Sequence, residues 1–177
     1  LLLEIDNNPL IDQKLQNFSI HLKNYYKEKN IKIKNLKIND QKIFFTISDM
    51  GKEKFITDFI NEESDINPYY PRFKSHQFDL KDENDFIILN FSKQGLIELK
   101  TSSQDQALEI VRRRVDEVGT NEPNILKRGN DRILVELPGL DDPGRIKSLL
   151  GKTANLTFQF VSINKNESFG TEVLRFE

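Results

Sequence analysis

The first candidate for chemistry in this chain is the triplet Gly151-Lys152-Thr153, which could form the end of a phosphate-binding loop. Such a loop needs another glycine five positions before Gly151, so that backbone N–H groups can wrap around the phosphates. Ile146 stands at that position, and the triplet follows a predicted helix where the motif should precede one. We therefore interpret Gly151 as the residue that ends this helix.

Three consecutive arginines, Arg112, Arg113 and Arg114, offer a second candidate, an anion-binding site. Consecutive helical residues point about 100° apart, so the three side chains cannot share one target. Asp116 and Glu117 follow at a spacing that allows ion pairs along one helix face. A solvated, ion-paired face is the favoured interpretation, and an arginine that faces a partner is the alternative.

Metal and nucleophile chemistry have few candidate residues. His21 and His76 lie in different predicted elements and the chain has no cysteine, so zinc-ligand spacings do not occur. The acidic pair Asp141 and Asp142 precedes Pro143, an arrangement typical of helix capping. No serine stands in a nucleophile-elbow motif. The residues therefore predict neither an enzyme nor a metal or cofactor site.

One aromatic stretch has the character of a binding loop. Tyr69 and Tyr70 stand between Pro68 and Pro71. A rigid aromatic loop of this kind can contact an extended or unfolded peptide with little loss of entropy. The more common role of such a loop, which we favour, is to pack over its own domain.

The elements that must position these residues alternate between helical and strand periodicity, which predicts an α+β fold. Hairpin turns are expected at 39–40 and 128–131, and the polar stretch 101–106 is expected to be exposed or bent. The predicted elements are a strand over 1–6, a helix over 12–29 capped by Asp12, strands over 31–38 and 41–48, a helix over 51–62, strands over 73–80 and 86–91, a helix over 93–118, strands over 124–127 and 132–137, a short helix at Pro143, and a strand over 156–161.

The order of these elements predicts two units. Residues 1–6 together with 93–163 spell β-α-β-β-α-β, the ferredoxin-like order, and would form a base of one sheet and two helices. Residues 7–92 spell α-β-β-α-β-β and would form a small subdomain inserted after the first strand. Residues 164–170 are polar and loop-like, and 171–177 begin an element that is not completed.

Composition excludes several classes of function. The 177 residues carry a net charge of -2, with basic and acidic residues balanced in both halves of the chain, so no half attracts nucleic acid. No apolar run approaches the roughly 20 residues that span a bilayer. Because the chain starts within an apolar strand and without methionine, we expect it to be a piece of a longer protein.

The segments IVRRRVDEVGTNEP and RILVELPGLDDPGRIKSLLGKTANLTFQFV resemble the SecD family, membrane subunits of the bacterial protein-export machinery, in their first periplasmic domain. Residues 7–92 match that family only in layout. Two departures are mild: Leu126-Lys127-Arg128 replaces a run like Gln-Arg-Gln, and Gly144 replaces a helix former. The signature residues, mainly structural, are Arg112, Arg114, Asp116, Gly119, Glu122, Pro123, Gly129, Arg132, Glu136, Pro138, Gly139, Asp142, Pro143 and Gly151.

The resemblance implies a non-enzymatic role without a cofactor. SecD and SecF are similar to transporters of the resistance-nodulation-division type and use the proton gradient to help pull preprotein through the Sec translocon. This chain would be the base of the domain on the periplasmic side of the bacterial inner membrane. It would link membrane helices to a head, beginning near the end of this chain, that captures unfolded preprotein. A hinge between base and head would lie at Asn164, Asn166 and Gly170.

A second class of function stays open at this point. Ferredoxin-like folds host many activities, so the chain could instead be a soluble regulatory module that binds a small ligand. That module would bind one defined ligand, whereas the export role implies weak, sequence-tolerant binding of unfolded peptide.

Overall fold

A computed structural model describes residues 1–83, 86–117, 122–139 and 143–151, in which helices alternate with antiparallel strands, and the predicted α+β class is confirmed. No helix within these ranges is long and apolar enough to cross a membrane. The elements are β1 (Leu2–Glu4), α1 (Asn8–Glu28), β2 (Ile33–Asn39), β3 (Lys42–Ile47), α2 (Asp49–Phe59), β4 (Tyr69–Tyr70), a 3-10 turn (Pro71–Phe73), β5 (Ser75–His76), β6 (Phe78–Glu83), β7 (Phe86–Phe91), α3 (Lys93–Asp116), β8 (Asn124–Arg128), β9 (Arg132–Glu136) and α4 (Pro143–Leu150).

One sheet joins the N-terminal strand to a hairpin far along the chain. Its strand order is β1-β9-β8, and each neighbouring pair is antiparallel. Ile133 and Val135 are buried, whereas the residues that alternate with them along β9 are exposed or half-buried. Both pack with Val115 of α3 in a small hydrophobic core. The predicted fourth strand, 156–161, lies outside the described residues, so the complete ferredoxin-like order stays a prediction.

The second sheet has the order β2-β3-β7-β6, with all neighbours antiparallel. Ile43 and Phe45 of β3 are fully buried, while the residues between them are not, as expected for a sheet with one covered face. Helices α1 and α2 cover that face with apolar side chains that include Leu22 and Phe55. The buried aromatic side chains of this larger core are Tyr26, Phe45, Phe55, Phe59, Phe78 and Phe91.

Helix α3 contributes to both cores. Leu96 and Leu99, near its N-terminus, pack against the larger core. Leu108 and Val111, further along, belong to the smaller core between α3 and the three-stranded sheet. The predicted division of the chain at residues 92 and 93 stays a prediction, and the helix that follows this boundary has packing partners on either side of it.

Two predictions about the first half of the chain were wrong. Helix α1 begins at Asn8, so Asp12 lies inside the helix and does not cap it; Pro9 fits the first turn because it has no N–H to satisfy there. The first hairpin turns at Asp40 and Gln41, which both have positive φ, instead of at 39–40. In both places the residues that favour a helix start or a turn lie within a few residues of the predicted ones, so the element begins or the chain turns at a different position.

Candidate functional site

The polar stretch 101–106 of α3, predicted to be exposed or bent, is exposed at four of its six positions, but Gln104 is buried. Gln104 is 3% exposed, and its Nε2 donates to the carbonyl oxygens of Gly129 at 3.1 Å and Arg132 at 2.8 Å. One amide therefore holds both ends of the turn between β8 and β9. Sequence reasoning missed this residue, although Gln104 stands one helical turn before the buried Leu108 and so occupies the same stripe.

The three arginines do not form an anion site. Arg112 pairs through Nη1 with Glu109 at 3.1 Å, and both side chains are about half exposed. The predicted pairing with Asp116 and Glu117 was therefore wrong, because the acid one turn earlier on the helix is the one within reach. Exposed pairs of this kind contribute little to stability.

Arg114 connects α3 to the end of α4. Its Nη1 donates to the carbonyl oxygen of Leu150, the last residue of α4, and the side chain is half-buried. Helix ends leave such carbonyls without intrahelical partners, so a guanidinium there satisfies one of them. Pro143 is the first residue of α4 and Gly151 directly follows the helix, as predicted for a helix start and a helix end.

Several signature residues set backbone turns around the hairpin. Gly129 and Gly139 have φ of 64° and 81°, a region that glycine adopts without strain. Gly139 follows Pro138, which comes just after β9. Glu122 has φ of 50° although it is not glycine, and it precedes Pro123 at the entry to β8. A positive φ at Glu122, Gly129 and Gly139 therefore sets the direction of the chain at the entry, the turn and the exit of the hairpin.

The remaining described signature side chains lie on exposed positions of the three-stranded sheet. Glu136 accepts a hydrogen bond from Asn124 Nδ2 at 2.7 Å across β8 and β9. Arg132 is exposed and lies 3.7 Å from Asp131. Predicted residues outside the described ranges are Gly119, Asp142 and the proposed hinge residues Asn164, Asn166 and Gly170.

Tyr69 and Tyr70 lie in a small hairpin and not in a loop. Tyr69 pairs with His76 across β4 and β5, and their rings are 4.7 Å apart. Both tyrosines are half-buried, and partial burial with a nearby carboxylate, Glu62 or Glu98, raises the pKa of each phenol. Contact of either tyrosine with peptide stays a prediction. The hairpin also explains why β6 begins at Phe78 and not at residue 73.

Hydrogen bonds attach the β4–β5 hairpin to the start of α3. Ser92 Oγ donates to the carbonyl oxygen of His76 at 2.5 Å and accepts from the N–H of Gly95 at 2.9 Å, which makes Ser92 the helix cap. A Cβ on Gly95 would clash with the carbonyl oxygen of Gln77. Glycine is therefore required where the helix approaches the hairpin backbone.

The group of polar side chains that most resembles a reactive cluster connects α1 with α2. Asp58 accepts from the hydroxyl of the fully buried Tyr26 at 2.9 Å and from Lys29 Nζ at 2.6 Å, and Lys29 also donates to Tyr25. Burial, followed by the neighbouring Asp58, raises the pKa of Tyr26, and the hydrogen bond to Asp58 raises the pKa of Lys29. These shifts keep both groups protonated at neutral pH, so the cluster fits a structural link and not acid–base chemistry.

The histidines are separated from each other. His21 packs edge-on against Tyr25, and His76 Nε2 lies 3.2 Å from the carbonyl oxygen of Asn61. Among the described residues, no group of three or more histidine, cysteine, aspartate or glutamate side chains could hold a metal ion.

Comparison with known protein families identifies one match. Residues 104–162 match the family described as "Protein translocase subunit SecDF, P1 domain, N-terminal". The match begins at Gln104, the residue that holds the β8–β9 turn.

Individual relatives extend the similarity to nearly the whole chain. "Protein translocase subunit SecD" of Rickettsia conorii is 33% identical over 166 residues, which are 94% of this chain and 30% of the relative. The same subunit of Acetobacter pasteurianus is 32% identical over 93% of this chain and 31% of the relative, and that of Pseudomonas aeruginosa is 28% identical over 99% and 27%. The chain thus spans about three-tenths of the length of these curated relatives. No solved structure matches it significantly.

Proposed function

This chain belongs to the SecD family, and we propose that it forms the structural base of the first periplasmic domain of a SecD protein. In this role it links membrane helices of the parent protein to a head that captures preprotein. The observation that carries the proposal is the similarity to SecD over 166 residues, 94% of the chain, which extends well beyond the signature region.

The pairing of β1 with β9 supports a role in transmitting force. β1 pairs with β9 over three residues, and the ladder is extended at both ends, because the N–H of Val135 donates to the carbonyl oxygen of Leu1 and the N–H of Ile5 donates to that of Asp131. A force applied along β1 would load all of these bonds together instead of one after another. A strand attached in this way suits the connection between a membrane segment and a rigid body.

The contacts of the described signature residues fit the same role. Its described residues end helices, set turns or connect α3 with α4, as the positive φ of Gly129 and the contact of Arg114 illustrate. We propose that the parent protein uses the proton gradient to assist late preprotein translocation with SecF and the Sec translocon. We propose the periplasmic side of the inner membrane as the location of this base and 164–170 as the hinge to the head.

Export complementation tests the proposal. The full-length parent protein is returned to cells that encode it and have been depleted of it, and unprocessed preprotein is followed by immunoblot. We expect the wild type to clear the precursor and Ile133→Asp, a charge in a position only 1% exposed, to leave it accumulated. The matched control Leu126→Asp changes a side chain of the neighbouring strand that is 50% exposed and should export normally.

Two results would contradict the proposal. One is a wild-type protein whose depletion leaves precursor levels unchanged. The other is full export by Ile133→Asp, since a base that transmits force requires an intact core between α3 and the three-stranded sheet. A third measurement addresses the energy source: an uncoupler that collapses the proton gradient should remove the difference between cells with and without the parent protein.

A further inference from the structure

The outer face of the four-stranded sheet, opposite α1 and α2, has a distinctive composition. Strand register places Lys37, Phe44, Ile88 and Lys81 in one row across β2, β3, β7 and β6. The next row consists of Asn39, Lys42, Asn90 and Asp79. Lys34, Thr46, Phe86 and Glu83 lie on the same face, because β-strand side chains alternate and cross-strand partners share a side. We call these residues the lysine-framed face.

The lysines of this face are not neutralised within the described part of the chain. Lys34, Lys37, Lys42 and Lys81 are exposed, and none of them forms an ion pair or hydrogen bond there through its side chain. Three of the four lie on β2 and β3, whereas both acids of the face lie on β6. The β2–β3 half therefore presents a positive potential to an incoming group.

The apolar centre of the face is recessed. Ile88 is only 9% exposed although it points away from the core, and Phe44 beside it is half-buried. Phe86, at one end, is 45% exposed. A membrane surface would require apolar side chains that project beyond the charged ones, whereas here Phe44 and Ile88 are less exposed than the lysines around them. The shape suits an extended chain that places apolar side chains between acidic ones.

The edges of this sheet are protected against pairing with another strand. β2 carries a register shift between Lys34 and Lys37, and Asn35 there has φ of 52°. β6 ends in the charged residues Asp82 and Glu83. Bulges and charges at edges are the usual devices against strand addition. A partner would therefore contact the face through side chains instead of extending the sheet.

We propose that the lysine-framed face binds an extended, acidic polypeptide segment, with its carboxylates over Lys34, Lys37 and Lys42 and an apolar side chain over Phe44 and Ile88. The binding does not depend on the role in export proposed above. It assigns a function to the inserted region, where the signature residues of the family do not lie.

Fluorescence anisotropy with the 177-residue chain tests this inference. The probe is a labelled peptide in which glutamate and leucine alternate, measured at low salt, and the comparison peptide has lysine in place of glutamate. We expect the acidic peptide to bind and the basic one not to bind. Neutralising two lysines, Lys37→Gln with Lys42→Gln, should weaken binding by about threefold for each lysine, the range of exposed charge pairs.

A matched variant separates local from general charge effects. Lys23→Gln with Lys54→Gln removes the same charge from exposed positions on α1 and α2, which cover the opposite face, and should bind like the wild type. Phe86→Thr should weaken binding without changing charge. Far-UV circular dichroism confirms that each variant is folded.

The inference is overturned if both lysine pairs have equal effects, or if the basic peptide binds as well as the acidic one. Two further arms exclude other partners. Binding of phosphatidylglycerol vesicles or of a single-stranded oligonucleotide, without binding of the acidic peptide, would assign the face to a different class of ligand and reject the proposal.

Discussion

The Gln104 link is the sharpest test of how α3 positions the β8–β9 hairpin. Gln104→Met keeps the length and volume of the side chain but removes both hydrogen bonds to the turn carbonyls of Gly129 and Arg132. Each net hydrogen bond is worth about 1 kcal/mol. Because the turn itself is exposed, water can partly replace the lost donor. We therefore expect a loss of about 2 kcal/mol in unfolding free energy, and a larger loss for Gln104→Glu, whose carboxylate would face two carbonyl oxygens.

Two measurements check this expectation. Urea unfolding gives the change in free energy, and amide hydrogen exchange gives local opening of the hairpin, which should accelerate by about 30-fold for 2 kcal/mol. The control Gln106→Met makes the same replacement on an exposed position of the same helix. Equal stabilities of the two variants, or unchanged exchange in β8 and β9, would show that the amide does not hold the turn.

Three further predictions concern the larger core. Gly95→Ala should lower the unfolding free energy by about 1–3 kcal/mol in thermal melts, because its methyl group meets the Gln77 carbonyl. Gly51→Ala, whose methyl group meets only side-chain carbons of Ile31 and Ile47, should be neutral or stabilising. Burial and Asp58 raise the pKa of Tyr26 above the ordinary value, so the contribution of the Tyr26 hydroxyl to stability is present below about pH 10 and declines as pH rises further. Above that pH, the urea midpoint of Tyr26→Phe should fall less steeply with pH than that of the wild type. Equal slopes for the two proteins would refute this assignment. Asn67→Asp should cost at least about 3 kcal/mol in urea unfolding, because this buried amide donates to two carbonyl oxygens, and a variant as stable as the wild type would contradict it.

The sequence predicted the elements well where periodicity alone determines them. The strand-like runs at β3 and β7 and the helical spacing of α2 were predicted where the structure has a strand, a strand and a helix. Ile43 and Phe45 of β3, Leu89 of β7 and Phe55 and Phe59 of α2 are fully buried. The sequence-based prediction failed where a polar residue is buried at a position that an apolar residue would usually occupy. Gln104 reads as a solvent-facing residue because its amide is polar, yet two carbonyl acceptors make its burial favourable. The acceptors come from a turn that lies 25 or more residues away, so no local pattern reveals them.

The candidate site was predictable only in part, for a related reason. The turn position of Gly129 and the helix end at Gly151 follow from backbone chemistry that acts over a few residues. The partner of Arg112 and the attachment of Arg114 to Leu150 depend on which side chains the packed helices bring within reach. The first pair was predicted with other acids, Asp116 and Glu117, and the second was not predicted.

The same distinction explains why the family resemblance was dense in one region and weak in the other. From Gln104 onward the chain contains residues that the backbone itself requires, such as Gly129 and Gly139 at positive φ and Pro143 at the start of α4. Few residue types satisfy those requirements, so the sequence there is recognisable. Residues 7–92 form their core from apolar side chains at regular spacing, a requirement that many sequences meet. The lysines of the lysine-framed face are exposed and lie outside that core, so replacing them tests the proposed acidic partner while leaving the packing of the fold intact.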